Sequence, residues 1–123
     1  MANPSTEGGT GAGTEVARRF FHVSGSSTSR TVLTLAANHI YTLLSMQVTN
    51  HSGSATNVMD IYIDPEGTTE KAFLAKQITL APATTFVLNE KVVMVGSDDA
   101  LIVASNATCE LKIYGSYIDQ TFS

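Results

Sequence analysis

From Val16 to the end of the chain, apolar and polar residues alternate with a period of two, and no segment carries a capped 3.6-residue repeat. Successive side chains on a strand point to opposite faces, so this pattern predicts strands throughout. The longest alternation, "IYTLLSMQVTN", is expected to place Ile40, Leu44, Met46 and Val48 on one face and Tyr41, Ser45, Gln47 and Thr49 on the other. "NVMDIYID" sends Met59, Ile61 and Ile63 inward and Asp60, Tyr62 and Asp64 outward, and the two segments read as a hairpin across the loop "HSGSAT". "RTVLTLA" groups Thr31, Leu33 and Leu35, and "TCELKIYGSYID" groups Cys109, Leu111 and Ile113. "ALIVASN" is a near-continuous apolar run that suits a central strand. "TEKAFLAKQ" is the best helical candidate, yet Ala72, Leu74 and Ile78 fit a strand as well, and we assign it as one. Eight or nine short strands spaced about 8–12 residues apart predict an all-β antiparallel sandwich, jelly-roll or Ig-like.

Ahead of this pattern, residues 1–15 hold one proline and four glycines. Such a segment buries too little apolar surface to offset an ordering cost of about 1–2 kcal/mol per residue. It is expected to be disordered on its own. The organisation predicted is an extended Gly/Thr-rich arm over residues 1–21, which runs into "VARRFFHV", followed by one sandwich body over residues 22–123.

Charged residues make up only 15% of the chain, below the usual quarter, and Ser and Thr fill the gap. A hydroxyl-rich, charge-poor surface suits β-structure that meets other protein. The net charge of −4 disfavours general nucleic-acid binding. Arg18, Arg19 and Arg30 outweigh Glu7 and Glu15 in the first thirty residues, so a mildly basic arm precedes an acidic body. No apolar stretch reaches the length of a membrane span, and "ARRFF" is not followed by the continuous apolar segment of an export signal. Cys109 is the single cysteine, which excludes an intrachain disulfide and reads as a small buried hydrophobe.

Chemistry-bearing constellations are sparse. His22, His39 and His51 have no carboxylate or cysteine at metal-ligand spacing. Asp60, Asp64 and Glu66 offer oxygens for calcium, but Asp60 and Asp64 lie about 13 Å apart on an extended strand, and a solvated acidic loop accounts for them. Asp98 and Asp99 read as strand-ending turn residues. The glycine run lacks the strand, helix and Lys-Ser/Thr of a phosphate loop. "NHS" at Asn50 and "NAT" at Asn106 match glycosylation acceptors, but with no export signal both read as accidents of composition. No nucleophile–base signature or cleft-like acid pair is present, so no enzymatic activity and no cofactor are expected.

The element order from residue 40 to 119 resembles that of small virion structural proteins of tailed bacteriophages. The parts that carry the resemblance are "YTLLSMQVTNHSGSATNVMDIYI", "FLAKQITLAPATTFVL" and "VVMVGSDDALIVASNATCELKIYGSYID", with a Gly-Ser-Asp turn before "ALIVAS" and a tyrosine-bearing final strand. The resemblance implies a virion protein assembled in the host cytoplasm, most simply a capsid decoration (cement) protein bound to the major capsid protein and forming a homotrimer. A neck or tail accessory protein is the alternative, and a carbohydrate-binding sandwich is a third. No membrane and no specific nucleic acid is expected as a partner. In this reading the arm docks by strand addition, with Phe20 and Phe21 supplying apolar area and Arg18 and Arg19 charge-assisted hydrogen bonds.

Overall fold

A computed structural model describes residues 13–23, 27–65, 70–95 and 99–122. Among these residues nine strands occur: β1 (Gly13–Val23), β2 (Ser27–Thr34), β3 (His39–Asn50), β4 (Asn57–Asp64), β5 (Ala72–Leu80), β6 (Thr85–Leu88), β7 (Val92–Val95), β8 (Ala100–Cys109) and β9 (Leu111–Phe122). One sheet runs β1-β9-β3-β6, with β7 sharing the β3 edge with β6, and the other runs β2-β8-β4-β5. Every pairing is antiparallel. The first strand pairs with the last and the second with the one before it. This is the jelly-roll order, which decides between the two expected sandwich types. "TEKAFLAKQ" contributes to β5, and "ALIVASN" opens β8, which lies between β2 and β4 as a central strand.

The core lies between the sheets. Leu43, Met46 and Val48 of β3 and Leu111 and Ile113 of β9 face Met59 and Ile61 of β4 and Leu101 and Val103 of β8. All are essentially solvent-free, and each such side chain contributes about 1.5–3 kcal/mol relative to exposure. The expected inward set on β3 holds only past its midpoint. The β3–β9 register slips between Leu43 and Ser45, so Tyr41 and Leu43 are buried before the slip and Met46 and Val48 after it. A bulge inserts one residue and reverses the parity, which is why Leu44 does not lie with Met46. β2 behaves similarly: a shift between Thr31 and Leu33 leaves Thr31 exposed while Arg30, Leu33 and Leu35 are buried.

β3 and β4 are not a hairpin. They lie in opposite sheets, and the chain crosses between them at a polar corner built on Asn50. The Asn50 Nδ2 donates to the carbonyls of Ala55 (2.8 Å) and Leu80 (3.1 Å), and its Oδ1 accepts from the Ser52 amide (3.0 Å) and Asn57 Nδ2 (3.1 Å). Asn50 is fully buried, so these bonds replace the water that the turning backbone would otherwise need. Its burial also removes it as a glycan acceptor.

Of the arm expected over residues 1–21, the described residues belong to the sheet. Residues 1–12 lie outside the described residues, but Gly13 to Phe21 pair along β9 as part of β1, from Gly13 opposite Phe122 to Phe21 opposite Tyr114. The long edge of β9 supplies a continuous row of backbone partners, and the ladder hydrogen bonds themselves require no apolar side chain. The sheet therefore begins well before residue 22.

Candidate functional site

Strand alternation splits the four expected arm residues into two pairs. Arg18 and Phe20 stand opposite Tyr117 and Gly115, whereas Arg19 and Phe21 stand opposite Ser116 and Tyr114 on the outer face. Phe20 is buried, with its ring centroid 6.0 Å from that of Tyr117, so its apolar area belongs to the body's core and not to a partner. Arg19 is exposed, and Phe21 is 66% exposed. The first strand thus anchors with one face and presents the other.

Arg18 completes a polar knot at the end of the inner face. Its Nε donates to Asp119 Oδ2 at 2.9 Å, and Asp119 Oδ1 lies 2.6 Å from His39 Nδ1. The Asp119 carboxylate is buried, so both oxygens need such partners. Tyr41 and Tyr117 lie alongside, their centroids 4.7 Å apart. Burial pushes both phenols above their ordinary pKa; Asp119 adds to this for each, and Tyr41 also raises Tyr117. No concave pocket adjoins the knot among the described residues. What it does is clamp β1, β9 and β3 together.

The outer face of the same sheet is different in character. Residues in register across a sheet point the same way, and Phe21, Tyr114, Gln47 and Val87 form one such row across β1, β9, β3 and β6. Further along the strands, Ala17, Ile118, Thr42 and Val93 form another. Phe21, Tyr114, Val87, Val93 and Val95 are all 41–66% exposed. The charged residues that the strands place on this face are Glu15, Arg19 and Lys112. A broad, charge-poor β surface of this kind is suited to covering by protein.

The remaining candidates carry structural work. Asp60 Oδ1 accepts the Gln77 amide at 2.7 Å, where Gln77 adopts φ 55 and the β4–β5 register slips. That carboxylate caps a bulge; Glu66, its expected companion, lies outside the described residues, as does Asp98. Among the described residues no group of three acidic, His or Cys side chains is placed to hold a metal ion. His51 Nε2 faces Glu110 at 3.6 Å on the surface. Asn106 Oδ1 accepts the Val58 amide. No helix among the described residues is long and apolar enough to cross a membrane.

Arg30 leaves the basic arm altogether. It is buried in the β2–β8 region and donates to the carbonyls of Cys109 (2.8 Å) and Val103 (3.4 Å) and to Ser105 Oγ (3.2 Å). Cys109, partly buried, touches the guanidinium through its Sγ at 3.4 Å. Tyr62, expected outward, is buried beside Phe73 with Lys71 Nζ 4.8 Å above its ring. Asp119, its pairing with His39, and Gly115 escaped sequence reasoning because the partners are far apart in the chain. The one local signal was an aspartate at an inward position of "YGSYID".

No protein-family model matches the sequence, and no curated protein is similar to it at a significant level. The fold does have likenesses among solved structures. A chain of the Bacillus endospore appendages, a family of disulfide-linked pili, has 18% identity and a TM-score of 0.56, covering 92% of this chain and 93% of that one. A capsid chain of Helicobacter pylori bacteriophage KHP30 has 7% identity and a TM-score of 0.55, covering 90% and 94%. A chain of the T13 IBDV viral particle has 11% identity and a TM-score of 0.58; 91% of this chain is covered, and it spans 32% of that one. At these identities the likeness is one of fold: a β-sandwich also found in capsid and pilus proteins.

Proposed function

We propose that this chain is a non-enzymatic structural protein of a virion, most specifically a decoration (cement) protein that binds the capsid. It acts by adding buried contact area between neighbouring subunits. The observation that carries the reading is the exposed Phe21–Tyr114–Gln47–Val87 row, which reaches the edge strand β1 on a sheet face with few charges. The sandwich fold, also found in capsid and pilus proteins, supports it.

The docking arm is redrawn on this reading. Residues 1–12 offer backbone to a neighbour's sheet edge, and Arg19 and Phe21 provide the side-chain grip, while Arg18 and Phe20 hold β1 to its own body. Covering the exposed part of Phe21 is worth about 3 kcal/mol per copy before ordering costs. One such contact is weak. Joined copies, three in the arrangement the resemblance implies, convert weak contacts into firm attachment through effective concentration.

The test is quantitative mass spectrometry of purified particles. A copy number that follows the capsid lattice supports decoration, whereas the few copies of a single ring would place the protein in the neck or tail. In parallel, Arg19→Glu combined with Phe21→Ser should abolish pelleting with shells, and unchanged pelleting would refute the grip.

A further inference from the structure

The sheet edges of this fold are not alike. A strand at the end of a sheet offers unpaired backbone groups to any other strand, and folds ordinarily blunt such edges with bulges, lysines or short strands. β6 and β7 have four residues each. β2 slips register twice against β8, and β5 slips twice against β4, with Lys76 and the left-handed Gln77 inside one of the breaks. β1 is the exception. Its 11 residues run against β9 in one unbroken register, and no strand among the described residues pairs with its other side. Ala17, Arg18 and Arg19 are exposed along it, and its inward charge, Arg18, is already held by Asp119 of the same chain.

We infer that β1 pairs edge to edge with β1 of a second copy, antiparallel, about a two-fold axis through Ala17 normal to the sheet. The two sheets then continue as one. This deepens the proposed function by naming the neighbour whose edge receives the arm, and it rests on that reading for its setting.

The charges of β1 select the register. An axis normal to the sheet keeps both outer faces on one side and passes through a residue that stands opposite its own mate. Arg18 at the axis gives the longest overlap but opposes two like charges directly, as do Glu15 or Arg19 there. Ala17 at the axis sets Glu15 opposite Arg19 on the outer face, once on either side, and Val16 opposite Arg18 on the inner one. No other axis along the strand makes a pair of opposite charges. Gly13 to Phe21 of each copy are then paired, over about 30 Å of strand. Chain upstream of Gly13 is led past the end of the second copy's β1, which is where an arm has to run.

The same register leaves the shell grip open. Phe21 comes opposite Gly13, which has no side chain to cover the ring. Both copies present Phe21 on one face, about 27 Å apart along the strands. Arg19 holds Glu15 on that face with guanidinium donors to spare, so the pairing aligns two grips and buries neither. The interface is narrow and its ion pairs are exposed, so these fix register more than affinity, and association is reversible. It joins copies by twos, not by the threes that the resemblance implies.

The experiment is oxidative cross-linking of the full chain. Residues directly opposite on antiparallel strands have Cα atoms about 4.5–5.5 Å apart, within disulfide reach. Ala17→Cys alone should give a linked dimer, and so should an equal mixture of Glu15→Cys and Arg19→Cys. Arg19→Cys alone should link no more than the parent, which carries Cys109, because its mate lies about 14 Å away along the strands. All three positions are on the outer face, so the variants should melt like the parent. In sedimentation equilibrium the parent should show a monomer–dimer equilibrium. Glu15→Arg turns two attractions into two repulsions and should associate at least about fivefold more weakly, and adding Arg19→Glu should restore the parent value.

Arg19→Cys linking as readily as Ala17→Cys, a parent that stays monomeric at high concentration, or a three-copy assembly overturns the pairing. Pelleting with shells tells the two ideas apart. A parent that pellets while Ala17→Cys fails to link sinks the pairing alone, and a parent that pairs yet pellets with no shell sinks the virion reading.

Discussion

The ring of Phe20 lies across Gly115, its cross-strand partner in β9, and occupies the space that a Cβ at position 115 would need. Such a Cβ would also come within 2.6 Å of the Ser45 carbonyl oxygen on the other side. The glycine is thus held in place by a backbone atom and a core aromatic together. Gly115→Ala should destabilise the fold by about 1–3 kcal/mol, measured as a lower denaturant midpoint, because neither neighbour has room to retreat in a packed interior. An unchanged midpoint would show that β9 moves freely away from β3, contrary to this packing.

Adjacent phenylalanines should separate fold from contact. Phe20→Ala removes a core ring and is expected to cost about 3–4 kcal/mol, whereas Phe21→Ser should leave thermal stability within about 0.5 kcal/mol. Truncation sharpens the contrast. Deleting residues 1–12 should leave the melting temperature nearly unchanged, while deleting residues 1–21 strips β1 from β9 and should lower it steeply. Equal melting curves for the two truncations would mean that β1 contributes nothing to the body.

At the corner between the sheets, Asn50→Ala should cost about 2–4 kcal/mol, since the carbonyls of Ala55 and Leu80 and the Ser52 amide lose a buried partner. Asn50→Leu restores volume but not hydrogen bonds, so it should rescue little. Urea melts of the two variants distinguish the causes: full rescue by leucine would make the corner a packing feature and not a polar one.

Alkaline stability should track the paired tyrosines. Burial, aided by Asp119, raises Tyr41 and Tyr117 above the ordinary 10.0, so the folded state holds these protons more tightly than the unfolded chain. Their contribution is complete below pH about 10 and is lost as the pH rises through the raised folded values. Melting temperature should therefore be flat up to about pH 9 and fall above about pH 10. Tyr41→Phe with Tyr117→Phe should flatten the fall. The same decline in the double variant would assign it to other groups.

The period-two pattern was enough to read the all-β sandwich, the strand assignment of "KAFLAKQITL" and the inward set Met59, Ile61 and Ile63, because these depend on local alternation alone. What local alternation cannot carry is an inserted residue. The parity reversal at Leu44, the exposure of Thr31 and the left-handed Gln77 all sit at register slips whose cause is a partner strand distant in sequence. Sheet membership failed for the same reason, since "HSGSAT" reads as a hairpin loop unless one knows that Asn50 is buried. Within the candidate site, Arg19 and Phe21 were legible as surface groups, but Arg18 and Phe20 were not separable from them until β9 fixed which way β1 faces.

The clamp between Arg18 and Asp119 joins residues 101 positions apart. During translation, then, the opening strand has no edge to join until the closing strand has cleared the ribosome. Every nascent intermediate carries an incomplete sheet with Phe20 bare, and fold closure is a late, non-local event of the kind that sets slow rates. Mutations that lengthen that interval should lower yield before they alter the finished molecule.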